Sequence, residues 1–404
     1  MKILVAHNFY QQRGGEDSVV EGESRILLSN QHEVLNFFRH NNEIQDHSLV
    51  RKISLASGTL WAADTYSSLR RILQDEQPAI AHFHNTFPLI SPAAYYACAE
   101  AGVPVVQTLH NYRLLCPGAT LLREGRVCED CVGRSVAWPG VVHGCYRGSR
   151  TATAAVAATS AVHRVMGTWR EKVSVYVALT EFARRKFVEG GLPAERIVVK
   201  PNFVAHDPGV KMGTGEHALY VGRLSKEKGP QVLLRAWARL GGNVPLKLAG
   251  DGPLREGLGR EIVAMALKEV ELLGEVGPEE VVSLLQGARF LVLPSVCYEN
   301  FPLAITEAFA CGVPVIASRL GSMAEIVADG KTGLHFEPGN AGHLAAKVEW
   351  AWTHVEEMNE MGRSARREFE EKYTSEENYK RLMEIYELAM ARPICETAEL
   401  TAAR

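Results

Sequence analysis

The 404-residue chain contains no run of about 18 uninterrupted apolar residues, so no stretch of it reads as a membrane-crossing helix. It also lacks an excess of charge of either sign. Its 44 Lys and Arg against 47 Asp and Glu leave a net charge of −3, which counts against a nucleic-acid or other polyanion binder. Short-period repeats and low-complexity tracts are missing too, which excludes a solenoid, a collagen or a coiled coil as the main body. The first apolar run, Ile3-Leu4-Val5-Ala6, is too short for a signal-peptide core. It reads as a first β-strand. The expectation is a cytoplasmic protein, at most peripheral at the inner face of the membrane. Its 8 cysteines are then expected as reduced thiols or metal ligands.

What the chain does have is an ordinary globular composition, 46% hydrophobic and 23% charged. A chain of this length buries a core without disulfide or metal staples and divides into two domains or three. Short apolar stretches alternate with helical ones, which indicates an α/β protein with parallel sheets. Candidate strands in the first half are 2–6, 33–38, 79–83, 103–109, 173–179 and 196–200, with helices at 16–28, 91–101 and 181–189. The second half offers strands at 218–221, 246–249, 289–293, 313–317 and 333–336. Both halves open alike: Ile3-Leu4-Val5 leads to Arg13-Gly14-Gly15, and Leu219-Tyr220-Val221 leads to Gly222-Arg223 and Lys228-Gly229. Neither opening carries the G-x-G-x-x-G dinucleotide fingerprint. Two Rossmann-like domains in tandem are expected.

The expected boundaries follow. Residues 1–205 form the first domain, with a cysteine-containing insertion at about 112–150. The glycine-rich segment 206–216 is a linker, and 217–374 form the second domain. The chain then ends in helices, near 341–355, 358–372 and 375–390. The last of these, 375–391, packs back on the first domain, and a tail at 392–404 frays. The Ala/Thr-rich stretch 151–161 reads as one buried helix.

The strongest chemical signal is Glu299-Asn300-Phe301-Pro302-Leu303-Ala304-Ile305-Thr306-Glu307. Glu299 follows a strand, and Glu307 falls inside a helix that starts near Pro302, since proline suits a first helical turn. A helix N-terminus offers free N–H groups and partial positive charge to a phosphate or sugar. The place would be the carboxyl edge of a parallel sheet, where ligands bind in such folds.

With these residues in view, the chain resembles the family 4 glycosyltransferases, which have the two-domain GT-B fold. The resemblance runs from about residue 1 to 386. Pro294-Ser295, Glu299, Glu307-Ala308-Phe309-Ala310-Cys311-Gly312 and Val313-Pro314-Val315 are similar to that family's core signature. Val221-Gly222-Arg223-Leu224-Ser225 with Lys228-Gly229 resembles its phosphate-binding segment, and Gly250-Asp251-Gly252-Pro253 a third motif. Arg13-Gly14-Gly15 and Thr108-Leu109-His110-Asn111 resemble the motifs of its first domain.

The resemblance implies two Rossmann-like domains facing across a cleft, with the C-terminal helices crossing back to the first. It implies transfer of a sugar, with retention at the anomeric carbon, from a UDP-, GDP- or ADP-sugar donor to a glycan or lipid-linked acceptor. The setting would be cell-envelope or exported polysaccharide synthesis. Arg223 and Lys228 would grip the donor diphosphate and meet the charge that grows on the leaving group, with no metal cofactor required for catalysis. Glu307 would hold the ribose and Glu299 approach the sugar. The backbone amides of Phe301 and Leu303 would bind sugar hydroxyls. Gly14 and Gly15 would face the phosphates, and His110 would orient the reacting centre. The family usually has glycine where Asn300 and Pro302 stand, and Pro302 brings no N–H to the site. His84 and, less so, His82 are further candidates to line the site. Readings from other classes are a sugar-nucleotide epimerase of the same fold, a non-catalytic zinc-binding protein and a nicotinamide-dependent oxidoreductase.

The insertion carries Cys116, Cys128, Cys131 and Cys145, with one C-x-x-C at Cys128-Glu129-Asp130-Cys131. Structural zinc, thiol redox chemistry and unlinked thiols all remain open, and His143 is an alternative ligand. The same region holds Arg123, Arg126, Arg134, Trp138, Arg147 and Arg150. Such residues suit a lipid-phosphate acceptor or a membrane surface, and equally an ordinary solvated exterior.

Overall fold

The structure, a computed structural model, describes residues 1–12, 14–44, 55 and 57–392. Arg13 and the expected frayed tail from residue 393 lie outside the described residues. The chain divides into two compact units. The first comprises Met1–Thr120, Glu129–Pro201 and the chain from Asn378 onward; the second comprises Leu121–Cys128 and Asn202–Glu377.

In chain order the first strands are β1 (Lys2–Phe9), β2 (Glu33–His40), β3 (Ile80–Asn85) and β4 (Val105–Thr108). A two-residue-per-strand hairpin follows, β5 (Leu122–Arg123) with β6 (Arg126–Val127), and then β7 (Val175–Ala178) and β8 (Ile197–Val199). The sheet of the first unit is all parallel, in the order β2-β1-β3-β4-β7-β8. Ile3, Val5, Ile80, Val106, Val175 and Val177 put a buried apolar face on this sheet, following the two-residue alternation of a strand. Val20 and Leu27 of the Gly15–Ser29 helix pack there, as do Leu382, Ile385, Tyr386 and Ala389 of the Ser375–Met390 helix. The three-to-four spacing of the last group places them on one helical stripe.

The second unit contains β9 (His217–Val221), β10 (Leu246–Ala249), β11 (Val270–Gly274), β12 (Ala288–Leu293), β13 (Val315–Ser318) and β14 (Gly333–Phe336). Its sheet is also all parallel, in the order β11-β10-β9-β12-β13-β14. Trp237, Phe290, Phe336 and Leu344 lie in its core. Among the described residues no helix is long and apolar enough to cross a membrane.

Three local expectations need correction. β11 is not among the expected strands, because it is an edge strand that pairs only with β10, and its exposed Glu271 interrupts the apolar run. The 151–161 stretch is not a buried helix. It belongs to the Arg150–Val165 helix, which buries Thr153, Val156, Ala157, Thr159 and His163 and leaves Ala154, Ala158 and Val165 exposed. Small side chains make a one-faced helix look uniformly apolar. The segment 206–216 is not a loose tether either. Lys211 Nζ donates to the Ala288 carbonyl at 3.0 Å, and Arg366 holds Asp207 at 2.6 Å, all within the second unit. Burial lowers the Lys211 ammonium to about 8.

Each sheet has one place where the strand order reverses. In the first unit it falls between β1 and β3, and in the second between β9 and β12. In open parallel sheets, ligands bind at the carboxyl edge beside such a reversal. Gly14 and Gly15 follow β1 and His84 lies in β3, while Arg223 and Lys228 follow β9 and Glu299 follows β12; His110 follows β4, one strand away.

Candidate active site

In the second unit the loop after β9 and the loop after β12 cross and lock. Val296 N–H donates to the Glu227 carbonyl at 2.9 Å. Gly229 has φ 68°, and a Cβ there would stand 2.1 Å from the Pro294 carbonyl oxygen, so no other residue fits without moving the backbone. The loop after β10 is threaded in as well. Gly250 has φ 143°, and a Cβ there would lie 2.0 Å from the Gly222 carbonyl oxygen. The glycines therefore bring three backbone segments together beside Arg223 and Lys228.

The charged groups meet at this crossing. Lys228 Nζ reaches both oxygens of Glu299, at 2.7 and 2.8 Å, across 71 positions of sequence. Ser295 Oγ donates to Glu299 Oε1 at 2.7 Å. Burial works against the Lys228 ammonium, but the Glu299 carboxylate outweighs it and holds its pKa raised. The Lys228 side chain keeps 30% of its exposure and Glu299 only 11%. Arg223 is exposed, and its carbonyl accepts from the buried Tyr220 hydroxyl at 2.8 Å.

The helix after β12 spans Leu303–Ala310, with Pro302 as its N-cap in extended geometry. Proline thus stands one residue before the helix rather than inside its first turn. Leu303 opens the helix, where backbone N–H groups have no intrahelical acceptor. The Phe301 side chain is buried against Tyr373 at a ring distance of 6.0 Å, so its part in any site is a backbone one. Glu307 is half-buried one turn into the helix, and burial pushes its carboxyl up.

The first unit has a different character. Gly14 caps the Gly15–Ser29 helix, and its N–H donates to Asp17 Oδ2 at 2.9 Å. The other oxygen of Asp17 meets His7 Nε2 at 2.8 Å. Beside them lies a chain of histidines, His82 and His84 buried and His110 partly exposed. His84 Nδ1 and His110 Nε2 are 3.0 Å apart, with the rings stacked. His82 is bonded to Thr108 Oγ1 at 2.8 Å and to the Tyr386 hydroxyl at 2.9 Å, so it is an internal residue and not a lining one. Burial lowers the pKa of all three: His82 to about 4, His84 and His110 well below the usual histidine range. They are neutral at pH 7. Glu23, also buried, accepts from Lys200 Nζ at 2.7 Å and lies 3.5 Å from His84 Nε2. Lys200 also donates to Asn378 Oδ1 at 2.6 Å.

A cavity of about 80 Å³ opens beside this chain, lined by His84, Gln107, His110, Arg113, Thr159 and Trp169 among others. The Arg113 guanidinium lies 4.2 Å over the Phe87 ring.

Sequence reasoning missed Asp17, Glu23 and Lys200, and quoted Ser295 only as part of a motif. Glu23 did carry a signal: it occupies a position between Val20 and Leu27 on the helix stripe that should be apolar. Its partner Lys200 is 177 positions away and carried none.

Cys116, Cys131 and Cys145 belong to the first unit and Cys128 to the hairpin segment of the second. A Cβ at Gly118 would stand 3.7 Å from both Cys116 Sγ and Cys145 Cβ, and one at Gly140 would stand 3.4 Å from Cys131 Sγ. Two groups of three metal-capable ligand atoms within 4.8 Å occur among the described residues, His7-Glu16-Asp17 and Glu23-His82-His84. The second already holds the Lys200 ammonium, which opposes a cation there.

Comparison with known proteins bears on both units. Residues 14–207 match the family model described as Glycosyltransferase Family 4, and residues 206–368 match that described as Glycosyl transferases group 1. The chain is 34% identical over 175 residues to an uncharacterized glycosyltransferase of Methanocaldococcus jannaschii, covering 43% of this chain and 49% of that protein. It is 33% identical over 159 residues to a D-rhamnosyltransferase of Pseudomonas aeruginosa, covering 39% of this chain and 41% of that protein. The chain thus spans about half the length, or less, of these curated relatives. In fold it is similar to the crystal structure of Anabaena HepE in complex with UDP, with a TM-score of 0.67 at 17% identity, covering 95% of this chain and 99% of that one. The chain is therefore family 4-like in sequence, and its two parallel-sheet Rossmann-like units have the fold of the GT-B glycosyltransferases.

Proposed function

We propose that the protein transfers a sugar from a nucleotide-sugar donor to a glycan or lipid-linked acceptor, with retention of anomeric configuration, in cell-envelope or exported polysaccharide synthesis. The observation that carries the reading is the loop crossing of the second unit. There a partly exposed Lys228 is braced by Glu299 and Ser295 beside the exposed Arg223. Two cations at a glycine-built switch point suit a diphosphate, the guanidinium as a two-pronged donor and the ammonium as a point charge. The UDP and UDP-glucose held in crystals of HepE support a nucleotide-sugar donor here.

In this reading Arg223 and Lys228 stabilise the nucleoside diphosphate as it leaves. The N-terminal turn of the Leu303–Ala310 helix offers its amides to the donor, and Glu307 accepts from the ribose hydroxyls. Both Glu299 oxygens are taken up by Lys228, so Glu299 serves as the brace of that cation and not as a nucleophile. In place of a covalent sugar on Glu299, the leaving phosphate takes the acceptor's proton on the same face that the acceptor attacks. His110, neutral and anchored by His84, hydrogen-bonds the sugar without adding charge.

A thermal-shift screen against UDP, GDP, ADP and their sugar conjugates tests the reading. A ligand at about 100 times its dissociation constant adds roughly 2.7 kcal/mol of stability. One nucleotide series should stabilise the wild type and lose its effect in Glu307→Ala. Trapping of a covalent sugar on Glu299 would overturn the same-face route.

A further inference from the structure

The insertion of the first unit carries a feature that sugar transfer does not use. From Val132 to Arg170 there are 39 residues without one Asp or Glu, in a chain where 47 of 404 residues are acidic. The same stretch holds Arg134, Arg147, Arg150, Arg164 and Arg170. Its short helix, Trp138–His143, buries Pro139 and Gly140 on one side. On the other side Trp138 is 55% exposed and Val142 50%, and Val136 just before the helix is 48% exposed.

These residues form one connected surface. Trp138 and Val142 are four positions apart and share a helix face. The Arg134 guanidinium lies 5.3 Å over the Trp138 ring. Arg150 Nε donates to the Val142 carbonyl at 3.0 Å, which places its charge beside the same face. Arg147 is exposed on the turn between. Arg134 Nε donates to the carbonyl of the exposed Asp130 at 2.6 Å, so one acid borders the face; an exposed indole, two exposed valines and three arginines outnumber it and are poorly explained by solvation alone.

We propose that this face docks the protein on an anionic phospholipid bilayer, with Trp138 and Val142 entering the headgroup region and Arg134, Arg147 and Arg150 meeting lipid phosphates. Tryptophan is favoured at the membrane–water interface, and each basic residue near an anionic surface adds to binding. Arginine stems cover apolar surface while their charged ends stay at the phosphate level. The surface is independent of the donor-binding reading, and its failure would leave that reading untouched.

Co-sedimentation of the full chain with vesicles tests the proposal. The wild type should pellet with phosphatidylcholine vesicles that contain phosphatidylglycerol, not with phosphatidylcholine alone, and high salt should release it. Each arginine removed should weaken partitioning by about fivefold, so Arg134→Gln with Arg150→Gln should weaken it by about 25-fold. Trp138→Ser, with every arginine kept, should also release the protein at unchanged melting temperature. Wild-type protein that stays in the supernatant with anionic vesicles at low salt would overturn the proposal. So would a concentration-dependent dimer that Trp138→Ser abolishes, since the face would then belong to a second copy of the chain. Equal binding of wild type and Trp138→Ser would remove the indole from the account and overturn the docking face as described.

Discussion

The two units present opposite solutions at the same topological position. In the first unit the polar groups are largely buried and paired with one another, Asp17 with His7, His84 with His110 and Glu23 with Lys200, while His7 Nδ1, Glu23 Oε2 and His84 Nε2 lack a hydrogen-bond partner. At the β9/β12 switch point the polar groups are open on one side, with the Lys228 ammonium braced from behind by Glu299. A buried, neutral histidine chain is costly to charge and well suited to hold one orientation. A partly exposed lysine on a glycine-made backbone crossing is suited to receive an anion.

The sharpest way to break the contrast is Lys200→Met. It leaves Glu23 buried without its counter-charge, which costs about 3–5 kcal/mol. Urea denaturation should show that loss, and a change under about 1 kcal/mol would mean the pair is not the buried anchor described here. Gly229→Ala is the counterpart in the second unit. The clash with the Pro294 carbonyl and the left-handed φ should destabilise by about 2 kcal/mol or more. A neutral result would mean the crossing of the two loops is loose.

Acid should act on the first unit. The folded pKa values of His82, His84 and His110 are depressed, so the unfolded chain binds more protons once pH falls below about 6.5. Stability is complete above that value and is lost progressively toward pH 4. With a folded pKa of about 4, His82 alone accounts for about 2 kcal/mol by pH 5. Melting temperatures measured from pH 8 down to 5 should fall below about 6.5, and less steeply in His82→Gln. A flat profile would contradict the buried, neutral chain.

The smallest expected change is spectroscopic. His84 Nε2 faces the Glu23 carboxylate at 3.5 Å, which favours the proton on that nitrogen. His84 Nδ1 then accepts from His110 Nε2–H, and His110 presents its Nδ1 as an acceptor. Nitrogen chemical shifts should report the Nε2–H tautomer of His110 in the wild type and a mixture in His84→Phe. The same mixture in both would remove His84 as a positioning residue.

Much of the architecture was legible from the sequence because parallel strands buried on both faces are continuous apolar runs. Two neighbouring strands mark the limit: β10 at Leu246–Ala249 stands where its apolar run placed it, while its edge neighbour β11 carried a mixed pattern and escaped notice. The individual chemical residues were legible through motifs. Their pairings were not, because Lys228 and Glu299 are 71 positions apart and Glu23 and Lys200 are 177 apart, and no local periodicity encodes such contacts. The surface of the Trp138–His143 helix lay between: its residue types were visible, but its exposed face was not.

The central claim is that the second unit binds the diphosphate of the donor. Isothermal titration of UDP, GDP and ADP into wild type, Lys228→Ala and His110→Ala tests it most directly. One nucleoside diphosphate should bind the wild type, bind Lys228→Ala about 30-fold more weakly for the loss of a charged hydrogen bond of about 2 kcal/mol, and bind His110→Ala with affinity unchanged. Folded wild-type protein that binds none of the three, or a loss in His110→Ala that equals the loss in Lys228→Ala, would contradict the account.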